Sequence, residues 1–177
     1  SGLTKLRHLK LHDNKLTRLP DMLFDTLTES LETLTLHTNQ LECLPDNMGN
    51  VFRIQELDLS KNGLTTLPES YFNLRCVTDV WAPENRLTHL PDNLSQAMHV
   101  KGLVLHNNQL TRLPSLENLA LNVIELAHNQ LTQVPHGMCY QHLTDIPNLA
   151  HNAIQELPHN FERTKANVVA LHHNNLT

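Results

Sequence analysis

A chain of 177 residues that is 40% hydrophobic, half of it leucine, is long enough to bury one core without help from metal or disulfides. Its formal net charge of −5 and pI near 6.2 argue against a nucleic-acid partner, because binding phosphates needs a basic surface. No run of 18 apolar residues occurs, so no membrane-spanning helix is expected, and no basic-then-apolar stretch reads as a leader.

The first two predicted strands lie in LRHLKLHDN (6–14) and LETLTLHTN (31–39), which share the pattern LxxLxLxxN. Side chains alternate along a strand, so Leu9 and Leu11 are expected to point inward and Lys10 outward. The connections that follow, such as DMLFDTLTES and DNMGNVF, are too short and irregular for long helices. Turns, 3₁₀ pieces and short helical turns are expected there. The fourth strand region, VTDVWAPEN (77–85), puts Ala82 in place of a strand leucine, with Pro83 after it. In the seventh, LTDIPNLAHN (143–152), Pro147 stands where a core leucine belongs. Proline has no N–H for a ladder, so a bulge or a one-residue slip is expected at that point.

These segments share one register. Asparagine recurs at Asn14, Asn39, Asn62, Asn85, Asn108, Asn129, Asn152 and Asn174. The gaps from Asn39 to Asn62, Asn62 to Asn85 and Asn85 to Asn108 are equal, that from Asn14 to Asn39 is the longest, and that from Asn108 to Asn129 is the shortest. At a fixed offset after each of the first seven stands a proline, from Pro20 to Pro158. The pattern resembles the leucine-rich repeat family over essentially the whole length, in its LP-containing subclass with a period of about 23 residues. The resemblance implies an α/β solenoid: a horseshoe of about eight repeats, with a parallel β-sheet on the concave face and turns, 3₁₀ pieces or short helices on the convex face. Residues 1–177 then form a single domain. The chain opens at SGLTKL and stops at NNLT, both inside repeats, so a segment of a longer protein is expected. The asparagines read as an internal ladder satisfying buried peptide groups, and the prolines as shape.

Function is expected on the outward strand positions. Eight strands at about 4.8 Å spacing give a concave face roughly 34 Å long, suited to a protein or peptide rather than a small substrate. Trp81, the only tryptophan, falls on an outward position near the middle of that face, beside Val104. Its surroundings are acidic: Glu32, Glu56, Asp58, Asp79 and Glu84. An aromatic anchor in an acidic field suits a basic protein surface. The competing reading has Trp81 fold over Ala82 and Pro83 to patch a thin strand. A neighbouring column runs His8, Thr33, Glu56, Asp79, Gly102, Val123, Ile146 and Val168, so Val123, Ile146 and Val168 are expected to form an apolar stripe. A slip at Pro147 would instead tuck Ile146 inward.

Of 13 histidines, seven sit just before the ladder asparagines: His12, His37, His106 and His172 in one column, His128, His151 and His173 in the next. Rings about 5 Å apart in the second column raise two possibilities, a metal site or a pH-sensitive stack, against the reading as exposed polar filler. No carboxylate or thiolate stands in this column within the three repeats that carry the rings, so the filler reading is preferred, with His128, His151 and His173 as the metal candidates. His136 and His159 repeat the theme on the turn side.

Motifs for phosphate loops, nucleophile elbows or zinc proteases are absent, so neither an enzyme nor a cofactor is expected. Cys43, Cys76 and Cys139 fit no paired spacing and lean toward a reducing, cytoplasmic setting. The sequons at Asn93 and Asn175 are few enough to arise by chance and leave secretion open. The expected function is a non-enzymatic module that binds a protein or peptide with a basic surface. The rivals are a structural segment of a larger assembly, and the recognition region of an effector whose catalytic domain lies elsewhere.

Overall fold

The computed structural model describes residues 3–177. Six three-residue strands form in chain order: β1 (His8–Lys10), β2 (Thr33–Thr35), β3 (Glu56–Asp58), β4 (Asp79–Trp81), β5 (Gly102–Val104) and β6 (Val123–Glu125). All pair in parallel with their sequence neighbours, β1-β2-β3 in one ladder and β4-β5-β6 in a second. Single bridges at Asn148 and Ala170 carry the second ladder onward. Each strand contributes one central residue to the interior. Leu34, Val80 and Leu103 are fully buried there, and the leucines two places on, such as Leu36, Leu59 and Leu105, are buried with them.

At eight positions, Asp13, Thr38, Lys61, Glu84, Asn107, His128, His151 and His173, the backbone adopts φ between 54° and 57°. Each is the residue just before a ladder asparagine. Left-handed backbone is costly for residues with a Cβ, so something must hold it. The asparagine next in sequence does so. From Asn39 onward its Oδ1 accepts an N–H from the preceding repeat, as from Leu41 to Asn62 at 3.0 Å and from Leu87 to Asn108 at 2.9 Å. Its Nδ2 donates to carbonyls on both sides, as Asn108 does to Ala82 and Leu105 at 3.0 Å each. The side chain thus satisfies buried peptide groups that the turn leaves without partners.

The prolines have an equally local role. Pro45, Pro68 and Pro91 are extended, and their carbonyls accept the N–H of Met48, Tyr71 and Leu94, opening the 3₁₀ turns Asp46–Asn50, Glu69–Asn73 and Asp92–Gln96. Met48, Tyr71 and Leu94 are buried by those turns. A four-residue helix, α1 (Leu23–Thr26), does the same for Phe24. In the shortest repeat, between Asn108 and Asn129, no 3₁₀ turn follows Pro114, and the backbone of Leu116 instead donates to His136 O at 2.8 Å.

Pro147 causes no slip. It occupies the buried slot of the missing leucine, and Asn148 keeps register with Glu125 and Ala170. The reason lies in which N–H the ladder uses. The Asn148 N–H reaches Ile124 O at 2.9 Å and the Pro147 carbonyl accepts from Ala170 at 3.0 Å, so the proline is asked only for its oxygen. The strand shrinks to a single bridge and nothing shifts.

Candidate functional site

The sheet parts between β3 and β4. Elsewhere the first bonds of each ladder come from two successive N–H groups to one carbonyl: Glu32 and Thr33 to Arg7, Gln55 and Glu56 to Glu32, Lys101 and Gly102 to Thr78. No such backbone bond joins Thr78 or Asp79 to Gln55, and the two strands meet only at and beyond their C-terminal ends, through Leu59 N–H to Trp81 O and Lys61 N–H to Pro83 O. The opening is a cleft of about 360 Å³ lined by Thr35, Gln55, Glu56, Leu57, Asp58, Val77, Asp79 and Trp81. Leu57 and Val77 are buried, so its base is apolar, while three of its walls are carboxylates.

Trp81 borders this cleft and is 44% exposed. Its register partner Val104 departs from the expectation of an open position. Val104 is 6% exposed, because it stands between Trp81 and Glu125 in the ladder and a short β-branched side chain is shaded by two longer ones. It offers a partner almost no surface. Ala82 and Pro83 are buried too, while Trp81 keeps 44% of its surface open.

The acids around Trp81 are held to different degrees. Asp58 accepts from the Ser60 hydroxyl at 2.6 Å and the Ser60 N–H at 2.9 Å. Asp79 accepts from the Thr78 hydroxyl at 2.9 Å, and its carboxylate fills the space that a side chain at Gly102 would need. Glycine at 102 therefore lets Asp79 lie across β5. Glu56 takes one long bond from Thr33 at 3.3 Å. Glu84 belongs to the left-handed turn rather than the strand, and its charge is partly offset by Lys61 at 3.8 Å. At the start of the face, Arg7 makes a two-pronged pair with Glu32, which raises the arginine's pKa and lowers the carboxyl's, chiefly through that hydrogen bond. Tyr71, buried beneath this region without a hydrogen-bond partner for its hydroxyl, is pushed up by burial and then by the charge of Asp79.

Toward the C-terminal end, Val123 is half-buried while Ile146 and Val168 are about half exposed, at 52% and 53%. The rings of His128 and His151 stack at 4.2 Å and 10°, those of His151 and His173 at 4.2 Å and 17°. This column is no chelate. Its outer rings sit two repeats apart on opposite sides of His151, so their nitrogens cannot all approach one ion to about 2 Å. Desolvation in the stack, then the charges of His128, His173 and His172, hold His151 below its ordinary range. His136 and His159 line a separate hollow of about 430 Å³ between the proline-bearing turns, beside the buried Cys139. All three cysteines are free thiols.

A family model described as "Leucine rich repeat" matches residues 4–64. No curated protein sequence matches the chain. Among solved structures, a leucine-rich repeat protein of Leptospira interrogans is 29% identical with a TM-score of 0.82, covering 99% of this chain and 48% of its own. YopM, a leucine-rich effector protein of Yersinia pestis, is 26% identical with a TM-score of 0.70, over 92% of this chain and 42% of its own. A plant peptide hormone receptor, RGFR1, in complex with RGF2 is 25% identical with a TM-score of 0.83, over 98% of this chain and 29% of its own. The chain thus spans less than half the length of each of these proteins. No helix among the described residues is long and apolar enough to cross a membrane.

Proposed function

The chain is a leucine-rich repeat protein, and from that premise we propose that it is a non-enzymatic interaction module whose concave face takes a basic protein or peptide at the cleft between β3 and β4. The observation that carries the reading is the placement of a half-open indole beside an acidic cleft. An arginine side chain entering there would lay its guanidinium against Trp81 and meet Glu56, Asp58 and Asp79, while its methylenes contact Leu57 and Val77. Backbone groups of Gln55 and Asp79 that lack ladder partners are available to hydrogen-bond an extended peptide.

Support also comes from the plant peptide hormone receptor in complex with RGF2, whose fold this chain shares. Likeness to the Yersinia effector supports a second reading, in which the same face is the recognition region of a longer effector. That reading changes what lies next to the module and leaves the binding face where it is.

The test is fluorescence anisotropy with a labelled arginine-containing peptide. Binding should weaken about tenfold or more in Trp81→Ala and in Glu56→Lys, a loss on the scale of a desolvated cation–π contact or a reversed charge. Phe52→Ala, at an exposed position before β3, should leave it unchanged. Equal affinity across all four proteins would overturn the proposal.

A further inference from the structure

A second constellation lies on the rim near the start of the chain, outside the cleft but joined to it through Thr35. The ligating atoms of His12, Asp13 and His37 all lie within 4.8 Å of one another, and His12 Nε2 is 4.0 Å from Asp13 Oδ2. The repeat explains how they meet. His12 and His37 occupy the same column one repeat apart, and their rings stack at 4.6 Å and 16°. Asp13 is one of the left-handed residues, with φ 55°, and that turn sets its carboxylate beside the histidine that precedes it. The carboxylate missing from the histidine column is therefore supplied from the adjacent column.

Each ring is also oriented. His12 Nδ1 lies 3.0 Å from Thr35 Oγ1, and His37 Nδ1 lies 3.2 Å from Thr38 Oγ1. Histidines that ligate metals through Nε2 commonly use Nδ1 in this manner, with an oxygen fixing the tautomer and the ring plane. Neither Nε2 has a hydrogen-bond partner among the described residues.

We propose that His12, Asp13 and His37 form a binding site for a divalent transition-metal ion of the zinc class, with solvent completing its coordination. Two imidazoles and a carboxylate are the donor types such ions take, at about 2.0–2.2 Å from each donor atom. The present spacings must close by roughly an ångström to reach that geometry. His12 and His37 are half-buried and Asp13 is exposed, so side-chain rotation alone can bring this about without disturbing the core. The C-terminal stack of His128, His151 and His173 differs on both counts that matter: three donors spread along a line, and no carboxylate within the group.

Calorimetric titration of the untagged chain with zinc chloride near neutral pH tests the site, with a denaturation curve for each variant to show that it folds. The expected result is a saturable event of about one ion, weakened at least about tenfold by His12→Ala and by His37→Ala, and unchanged in His151→Ala. Asp13→Asn and Thr35→Val should weaken it by smaller amounts, the first through a lost charged donor and the second through a lost orienting bond. Absence of zinc binding, an event indifferent to His12→Ala and His37→Ala, or one lost in His151→Ala would each overturn the assignment. Because His12, Asp13 and His37 do not line the β3/β4 cleft, failure of their variants is separable from failure of the peptide site; Thr35 alone borders both.

Discussion

The backbone N–H of Leu87 donates to Asn108 Oδ1 at 2.9 Å, across the boundary between one repeat and the next. Asn108 is 7% exposed, and its Nδ2 also reaches Ala82 O and Leu105 O. Asn108→Ala strands a buried donor and two carbonyls, at about 1–3 kcal/mol for each group left unsatisfied. We expect a loss of about 3 kcal/mol or more, read as a lower urea midpoint at unchanged slope. Among the described residues the Asn14 side chain bonds only to Leu11 O and His12 O of its own turn and is exposed, so Asn14→Ala should cost about 1 kcal/mol or less.

Much of the fold is legible in the sequence. The asparagine and proline registers locate every strand, because a solenoid repeats one local solution and each repeat reports on the others. They do not reveal the left-handed residue before each asparagine, since Asp, Thr, Lys, Glu, Asn and His share no propensity that marks the turn. Nor does any change of period announce the parting of β3 from β4: the gap from Asn62 to Asn85 equals those on either side of it. Val104 escapes because its burial depends on the lengths of Trp81 and Glu125 in adjacent strands rather than on its own pattern. Asp13 stays hidden when like columns are compared, because its turn carries it sideways into the next one.

Gln141 is a residue that pattern reading passes over. Its Oε1 accepts the Leu121 N–H at 2.8 Å, and its Nε2 donates to Leu116 O at 2.8 Å and Gly137 O at 3.1 Å. It braces the short repeat much as an asparagine braces the others. Gln141→Ala should cost about 2–4 kcal/mol by denaturation, from three buried groups left unpaired. Gly137 sits at φ 86°, and a Cβ there would collide with the backbone of Leu116 and Glu117. Gly137→Ala should cost at least about 2 kcal/mol, with strain and clash acting together.

The histidine stack predicts a pH dependence. The folded-state pKa of His151 is lowered from the ordinary 6.5, so just below that pH the unfolded chain holds more protons than the folded one. Stability should therefore fall as pH drops through 6.5 and level off once His151 is also protonated in the folded chain. His151→Asn removes the titrating ring and keeps a residue that tolerates left-handed backbone. Unfolding midpoints on either side of pH 6.5 should differ less in that variant than in the native chain.

Trp81→Ala should be structurally mild. The indole is 44% exposed, so its loss should cost no more than about 2 kcal/mol, whereas Phe24→Ala, at 0% exposure, should cost about 3–5 kcal/mol. Thermal or urea unfolding of both variants checks the contrast. A small effect at position 81 would let its binding phenotype be read as binding.

The central claim is that Trp81 and the acidic cleft form one site for a basic partner. The most direct measurement follows the emission of Trp81, the only indole in the chain, during titration with an arginine-containing peptide and with its glutamate counterpart. A saturable change with the arginine peptide alone, weakening as salt shortens the screening length, is the predicted result. No change with the arginine peptide, or the same change with both, would contradict it.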